Sequence, residues 1–274
     1  MDQAGPFSKD AFGCAALLDA MASYDEKDST CTKRKDINFE KSLSKDFGSL
    51  NIGVIKNIEK LGINEDVINA YETSKTVLTG LGHKLIEVDF SELSAGICSY
   101  YVIAPAECSS NLSRFDGVKY GYRSEGEKDI ANLYMNTRSD GFGDEVKKRI
   151  LIGTHVLSAG FYDAYYLQAQ KVRRMIKVKF ENFFKDVDLI FMPTTLDQAF
   201  EKNRKSDDPN RMYKEDLLTI PANLAGLPAI SFPNGFKNNL PIGGQLIGKY
   251  FGEDLLLNTT HKIQEVTDWH KMTP

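Results

Sequence analysis

The sequence has 274 residues, of which 42% are hydrophobic and 26% are charged, so it has the composition of an ordinary globular protein with enough apolar mass for a substantial core. The formal net charge of −4 argues against a general nucleic-acid binder. No apolar run reaches the roughly 20 residues that a spanning helix needs, and no secretory signal is present, so we expect a cytoplasmic protein with reduced cysteines.

The chain opens with a Gly-Pro turn at Gly5-Pro6, and a helix start follows near Ser8. An enzyme of this size usually leads with a strand or a capped helix. The sequence therefore reads as if it began midway, which leaves open whether it is a complete protein or the second half of a longer one.

The first clear elements alternate between strand and helix. Asn51–Lys56 is a β-branched run, apolar residues then recur at helical spacing from Val67 to Leu78, Gly82 is a helix stop, and His83–Phe90 is a second strand. This pattern predicts a βαβ unit and a largely parallel sheet, and therefore an α/β fold.

Two helices follow in the middle of the chain. The first begins at Gly143, has carboxylates in its first turn where they suit the helix dipole, and runs to about Ser158. The second runs to about Phe184 and contains the basic run Gln170–Phe180. Apolar residues recur at helical spacing within that run, so a solvated face of an amphipathic helix is favoured over an RNA site.

The last third predicts a buried strand at Val187–Pro193 and a helix in YKEDLLTIPANLAG that ends at Gly226. Two more strands, PAISFP and PIGGQLIGK, are predicted to join across Asn234-Gly235 and a polar loop. No repeat or low-complexity linker interrupts the chain, so no domain boundary is predicted.

Isolated motifs do not name a reaction. Ser42 and Lys45 have the S-x-x-K spacing, but the partner motifs are absent, and the charged segment from Asp25 to Lys45 is better interpreted as a solvated surface connection. The four histidines lack ligand spacing, so no metal site is predicted. There is also no phosphate-binding loop of the G-x-x-x-x-G-K-[ST] type.

Four long segments carry a resemblance. They are SSNLSRFDGVKYGYR (Ser109–Arg123), GDEVKKRILIGTHVLSAGFYDAYYLQAQKVR (Gly143–Arg173), DDPNRMYKEDLLTIPANLAGLPAISFP (Asp207–Pro233) and LPIGGQLIGK (Leu240–Lys249). In collinear order they resemble the amidase-signature family, and within it the branch of A subunits of aspartyl/glutamyl-tRNA amidotransferases. The resemblance implies an α/β fold with a large mixed β-sheet covered by helices, incomplete at its N-terminal side.

The resemblance also implies that residues 1–274 are the C-terminal part of a single amidase-signature domain. The family's Ser-cis-Ser-Lys triad precedes the segment that MDQAGPF resembles, so no catalytic residue is assigned and the chain is predicted to be inactive alone. If the first part of the sheet is missing, Asn51–Lys56 and Val187–Met192 are expected to lack neighbouring strands.

Three substrate-binding residues follow from the resemblance. Arg149 matches the ligand of the glutamine α-carboxylate, Asp216 the ligand of the α-ammonium, and Tyr100 the side chain that closes the pocket, although the adjacent Tyr101 leaves this last choice open. Without the resemblance, each would be interpreted as a structural residue. Asn111, Arg114 and Asp116 remain unassigned.

The implied activity is release of ammonia from glutamine, for conversion of Glu-tRNA(Gln) or Asp-tRNA(Asn) to the amidated product. The implied partners are B and C subunits of a heterotrimer, with charged tRNA contacted mainly by the B subunit. No cofactor is expected in this chain, because ATP and magnesium belong to the B subunit. The alternatives are another amidase-signature hydrolase and a non-catalytic binding or scaffold module.

Overall fold

The computed structural model describes residues 1, 3–34, 38–126, 128–200 and 214–274. The chain divides into two compact units. The first unit combines Met1–Ser94 with Ile176–Pro274, and the second unit is Ala95–Met175. The boundary at residue 176 falls inside a helix, and the assignment of all 274 residues to one domain stays a prediction.

The first unit is built on a five-stranded mixed sheet. Its strands are β1 Asn51–Ile55, β2 Lys84–Val88, β3 Leu189–Pro193, β4 Ala229–Lys237 and β5 Leu240–Gly248. The order is β2-β1-β3-β5-β4, in which the first three strands are parallel and β5 runs antiparallel to both of its neighbours. This arrangement confirms the predicted α/β fold with a mixed sheet.

The two strands expected to lack neighbours lie in the interior of the sheet, so that expectation was wrong. β1 pairs with β2 and β3, and β3 pairs with β1 and β5. All five residues of β3 are buried, as its uninterrupted apolar run requires. Within the described residues, the edge strands are β2 and β4.

Helices pack on this sheet. The first unit contains α1 Ala11–Met21, α2 Phe39–Ser42, α3 Glu65–Gly80, the end of α7 Leu167–Asp186, α8 Ile220–Ala225 and α9 Glu253–Val266, with short 3₁₀ turns at Ile58–Leu61, Ser91–Ala95 and Trp269–Lys271. Tyr71 anchors α3, the helix of the predicted βαβ unit, to strands β1 and β3. Its ring stacks on Phe191 at 5.2 Å between centroids, and its hydroxyl accepts a 2.8 Å hydrogen bond from the Ile55 N–H.

The segment from Asp25 to Lys45 is only partly a surface connection. Residues 25–34 are almost all exposed, but Phe39 and Leu43 join Ala15 and Leu257 in a buried apolar cluster. The Asp19 carboxylate accepts hydrogen bonds from the N–H groups of Phe39 and Glu40, at 2.6 and 2.9 Å. The interpretation as a solvated loop was therefore wrong for its last turn.

The connection between the last two strands is shorter than the predicted one, which spanned Asn234-Gly235 and a polar loop. Lys237 pairs with Leu240, so the two-residue turn is Asn238-Asn239, whose φ angles are 52° and 60°. Two left-handed residues define the turn that matches strand twist, and asparagine tolerates this conformation. Asn234-Gly235 lies inside β4 instead, where the register with β5 shifts.

The helix that ends at Gly226 is shorter than predicted. Tyr213 lies outside the described residues, Lys214 is helical, residues 215–219 form turns, and the helix before Gly226 is Ile220–Ala225. Pro221 has no N–H to donate to the carbonyl of residue 217, so it fits only the first turn of a helix. The predicted stop is confirmed, because Gly226 takes the left-handed conformation after α8.

The second unit is helical. It contains α4 Gly96–Leu112, α5 Ile130–Gly141, α6 Asp144–Val156, a π turn at Tyr162–Tyr166 and the start of α7. α6 begins after Gly143, which confirms the predicted start, and α7 ends at Asp186, two residues beyond the prediction. No helix among the described residues is both long and apolar enough to cross a membrane.

Candidate functional site

Arg149 lies on α6 and forms an ion pair with a carboxylate of the same helix. Its Nε donates a 3.0 Å hydrogen bond to Oε1 of Glu145, one turn earlier. This bond and a smaller effect of the nearby Tyr100 hydroxyl raise the pKa of Arg149 above its ordinary value, against the opposing effect of burial. The side chain is 36% exposed, so a solute can reach a guanidinium that is already partly desolvated.

Tyr100 brings a second helix to the same guanidinium. It is half-buried on α4, and its hydroxyl lies near enough to Arg149 to contribute to the raised pKa of the guanidinium. Its ring packs edge-on against Tyr101, with centroids 5.1 Å apart. The predicted pair of Tyr100 and Arg149 therefore lies together, although a substrate contact by either tyrosine stays a prediction.

Close packing of α4 on α6 makes this contact possible. A Cβ on Gly153 would overlap the carbonyl of Pro105 and lie 2.7 Å from the Cβ of Ser109. The hydroxyl groups of Ser109 and Thr154 hydrogen-bond at 2.8 Å beside this point. Only glycine allows such an approach, and Gly153 lies one turn after Arg149 on the face that meets α4.

Asp216 belongs to the first unit. Its carbonyl accepts from the N–H groups of Thr219 and Ile220, at 3.3 and 3.0 Å, which forms the turn that leads into α8. Its side chain is half-buried. The preceding part of the resembling segment, residues 207–213, lies outside the described residues.

Glu145 is the site residue that the sequence reasoning missed. It was interpreted only as a carboxylate suited to the first turn of a helix. The available signal was its position four residues before Arg149, which is the spacing that brings two side chains together on a helix.

The S-x-x-K match of Ser42 and Lys45 contains no accessible nucleophile. Ser42 is fully buried, and its hydroxyl donates a 2.6 Å hydrogen bond to the carbonyl of Phe39. All four cysteines are free thiols, as predicted. In the part of the chain that the structure describes, no group of three or more His, Cys, Asp or Glu side chains is placed to hold a metal ion.

Comparison with known proteins gives consistent matches. The sequence model of the Amidase family matches residues 1–257. All 274 residues align at 49% identity with the A subunit of the glutamyl-tRNA(Gln) amidotransferase of Coxiella burnetii, and at 50% identity with the protein of the same name from Hahella chejuensis. In both alignments the chain spans 57% of the relative's length.

A solved structure gives the same result. The A subunit of the glutamyl-tRNA(Gln) amidotransferase from Thermotoga maritima superposes with a TM-score of 0.77 at 35% sequence identity. The superposition covers 99% of this chain and 55% of that protein. The chain thus spans little more than half the length of the relatives it matches.

Proposed function

This chain belongs to the amidase family, and from that premise we propose that it is part of the A subunit of a tRNA-dependent amidotransferase, the subunit that releases ammonia from glutamine. The observation that carries the proposal is the identity of about one residue in two over all 274 residues to proteins of that name. Identity of this extent over the full chain supports a shared activity more strongly than the fold does, because one fold hosts many reactions.

In this proposal the residues of the chain bind the substrate. A free amino acid presents a carboxylate and an ammonium, and charge-assisted hydrogen bonds to each are strong where water is partly excluded. Arg149 binds the α-carboxylate of glutamine, Asp216 binds the α-ammonium, and Tyr100 closes the pocket beside Arg149. Arginine suits this role, because a guanidinium stays charged throughout the working pH range.

Cleavage of the amide in this proposal uses the family's Ser-cis-Ser-Lys triad in the full-length subunit. The ammonia then passes to a B subunit, which uses ATP and magnesium to activate the charged tRNA, while a C subunit joins the other two. The product is Gln-tRNA(Gln) or Asn-tRNA(Asn), and the complex works in the cytoplasm. No cofactor is assigned to this chain.

The test uses a full-length version of the protein, in which ammonia release reports on binding. Arg149→Lys keeps the positive charge but loses the planar fork that holds a carboxylate through two hydrogen bonds. Asp216→Asn removes the anion that faces the ammonium and keeps the shape. Each change is expected to lower kcat/KM for glutamine on the order of tenfold to a hundredfold, because hydrogen bonds to charged groups contribute roughly 1.5–3 kcal/mol.

Lys147→Ala is the matched control for the arginine. Lys147 lies two residues away on α6, bonds Asp144 at 3.0 Å, and has no proposed contact with substrate. Its replacement should leave kcat/KM within about threefold, as exposed substitutions usually do. If Arg149→Lys proves as mild as Lys147→Ala, Arg149 is only part of a solvated helix face, and the ligand assignment fails.

A further inference from the structure

We propose that Glu145 is a positioning residue, which orients the Arg149 guanidinium so that its two terminal nitrogens receive the α-carboxylate of glutamine. This inference rests on the proposed function and adds to it the direction from which the carboxylate is bound.

Glu145 occupies one edge of the Arg149 guanidinium. A guanidinium can grip a carboxylate through two parallel hydrogen bonds, either from Nε with one terminal nitrogen or from both terminal nitrogens. Oε1 of Glu145 accepts from Nε at 3.0 Å, so the side edge is taken. A bidentate substrate carboxylate is therefore bound end-on, along the direction in which the Arg149 side chain points.

A tyrosine of α4 beside the cation distinguishes this pair from the other ion pairs of α6. Asp144 with Lys147 at 3.0 Å and Glu145 with Lys148 at 3.9 Å both span three residues, and the side chain of Asp144 is fully exposed. Arg149 donates to Glu145 of its own helix, and Tyr100 of α4 lies beside its guanidinium. The near contact of Gly153 with Pro105 fixes the distance between these two helices.

The consequence is an arginine ordered before substrate arrives. A free arginine side chain loses much of its rotamer freedom when it binds, and that loss weakens binding. With Nε tied to Glu145, part of the loss has already occurred during folding. Removing the hydrogen bond from Nε to Glu145 should weaken binding of the α-carboxylate. It should leave binding of the other groups of glutamine unchanged.

The experiment compares two amides in the full-length protein. Glutamine carries the α-carboxylate, and 4-aminobutanamide has the same amide and ammonium without it. Ammonia release gives kcat/KM for each, and where the second compound is not turned over, its inhibition constant against glutamine takes the place of kcat/KM. The variants are Glu145→Ala, Glu145→Gln and, as matched control on the same turn, Asp144→Asn.

Glu145→Ala is expected to lower kcat/KM for glutamine on the order of tenfold, mainly through KM, because a freed arginine must then be ordered by the substrate. Glu145→Gln keeps an oxygen that accepts from Nε, so it should stay within about threefold of wild type. Asp144→Asn should also stay within about threefold. None of the three variants should change the constant for 4-aminobutanamide.

Two results would overturn the positioning role alone. Equal losses for both amides in Glu145→Ala would mean that Glu145 supports the helix and not the carboxylate site. A loss in Arg149→Lys without one in Glu145→Ala would mean that Arg149 needs no orientation by Glu145. Failure of the proposed function looks different, because the wild-type protein would then release no ammonia from glutamine.

Discussion

Asn258 and Asn234 are both buried in the first unit, but only the amide of Asn258 has hydrogen-bond partners among the described residues. Nδ2 of Asn258 donates to the carbonyls of Ser42, Leu43 and Lys45 at 2.9, 2.9 and 3.1 Å, and so satisfies the end of α2. Asn234 is only 1% exposed, and neither Nδ2 nor Oδ1 has a hydrogen-bond partner among the described residues. It lies where β4 and β5 shift register and lines a cavity of about 370 Å³.

These asparagines should therefore respond differently to truncation. Asn258→Ala removes an amide that donates to three carbonyls, of which the Ser42 carbonyl keeps the Lys45 N–H at 3.1 Å, and it is expected to lower the free energy of unfolding by about 1–3 kcal/mol, because buried groups left unpaired are costly. Asn234→Ala removes two unpaired polar atoms and should cost less than about 1 kcal/mol or stabilise the protein. Urea denaturation of both variants measures the difference. Equal losses would show that ordered water already satisfies Asn234.

Residue roles were predictable from sequence only where the spacing was local. The pair of Glu145 and Arg149 could have been found, since four residues on a helix bring two side chains together. The proximity of Tyr100 to Arg149 follows from the resemblance and not from spacing, because it depends on how α4 packs against α6, where Gly153 meets Pro105. Asn258 is likewise bound to residues more than 200 positions away in sequence.

At the scale of elements, His83 ties the starts of β1 and β2 together. Its Nδ1 accepts a 3.2 Å hydrogen bond from the Leu50 N–H, and the Ser49 hydroxyl donates to the carbonyl of Gly82 at 2.6 Å. Burial lowers the pKa of His83 below its ordinary value of about 6.5. The acceptor role and the lowered pKa agree, because a protonated Nδ1 cannot accept.

Stability should therefore fall as the pH falls. The unfolded chain binds a proton at His83 near its ordinary pKa, and the folded chain binds it only at lower pH. The stabilising contribution is complete above about pH 6.5 and is lost as the pH falls through the folded pKa. His83→Asn keeps an acceptor for the Leu50 N–H and cannot titrate. The melting temperature of wild type should therefore drop more than that of the variant between pH 7 and pH 5, and equal drops would contradict the assignment.

Most element types followed from periodicity, and the errors have local causes. Helical spacing in α3 between two β-branched runs predicted the βαβ unit, which the parallel pairing of β1 with β2 confirms. The connection between β4 and β5 was predicted to begin too early, because Asn234-Gly235 suits a left-handed turn as well as Asn238-Asn239 does. Pairing of Gly235 with Ile242 decides between them, and this pairing is a property of two strands and not of one dipeptide.

For the molecule as a whole, the order of the strands in the sheet could not be predicted from the sequence. Long-range pairing inserts β3 between β1 and β5, with Ile52 opposite Leu189. Two apolar runs so far apart in sequence carry no local signal that they are partners. The expectation that β1 and β3 would lack neighbours failed for this reason, since the chain supplies both of them with partners from its own later strands.

The last prediction concerns what these 274 residues can do alone. Hydrolysis of an amide by a serine needs a base to take the hydroxyl proton and fixed donors for the oxyanion. Ser42 of the S-x-x-K match is buried and already donates to the carbonyl of Phe39, so it offers neither a reachable nucleophile nor a neighbouring base. We therefore expect no ammonia release from glutamine above the uncatalysed rate in a preparation that contains only these residues and has a folded far-ultraviolet circular dichroism spectrum. A full-length version assayed beside it is the positive control. Release by the shorter chain would mean that a nucleophile and base lie within these residues, and the division of roles between substrate binding here and amide cleavage by the triad would have to be abandoned.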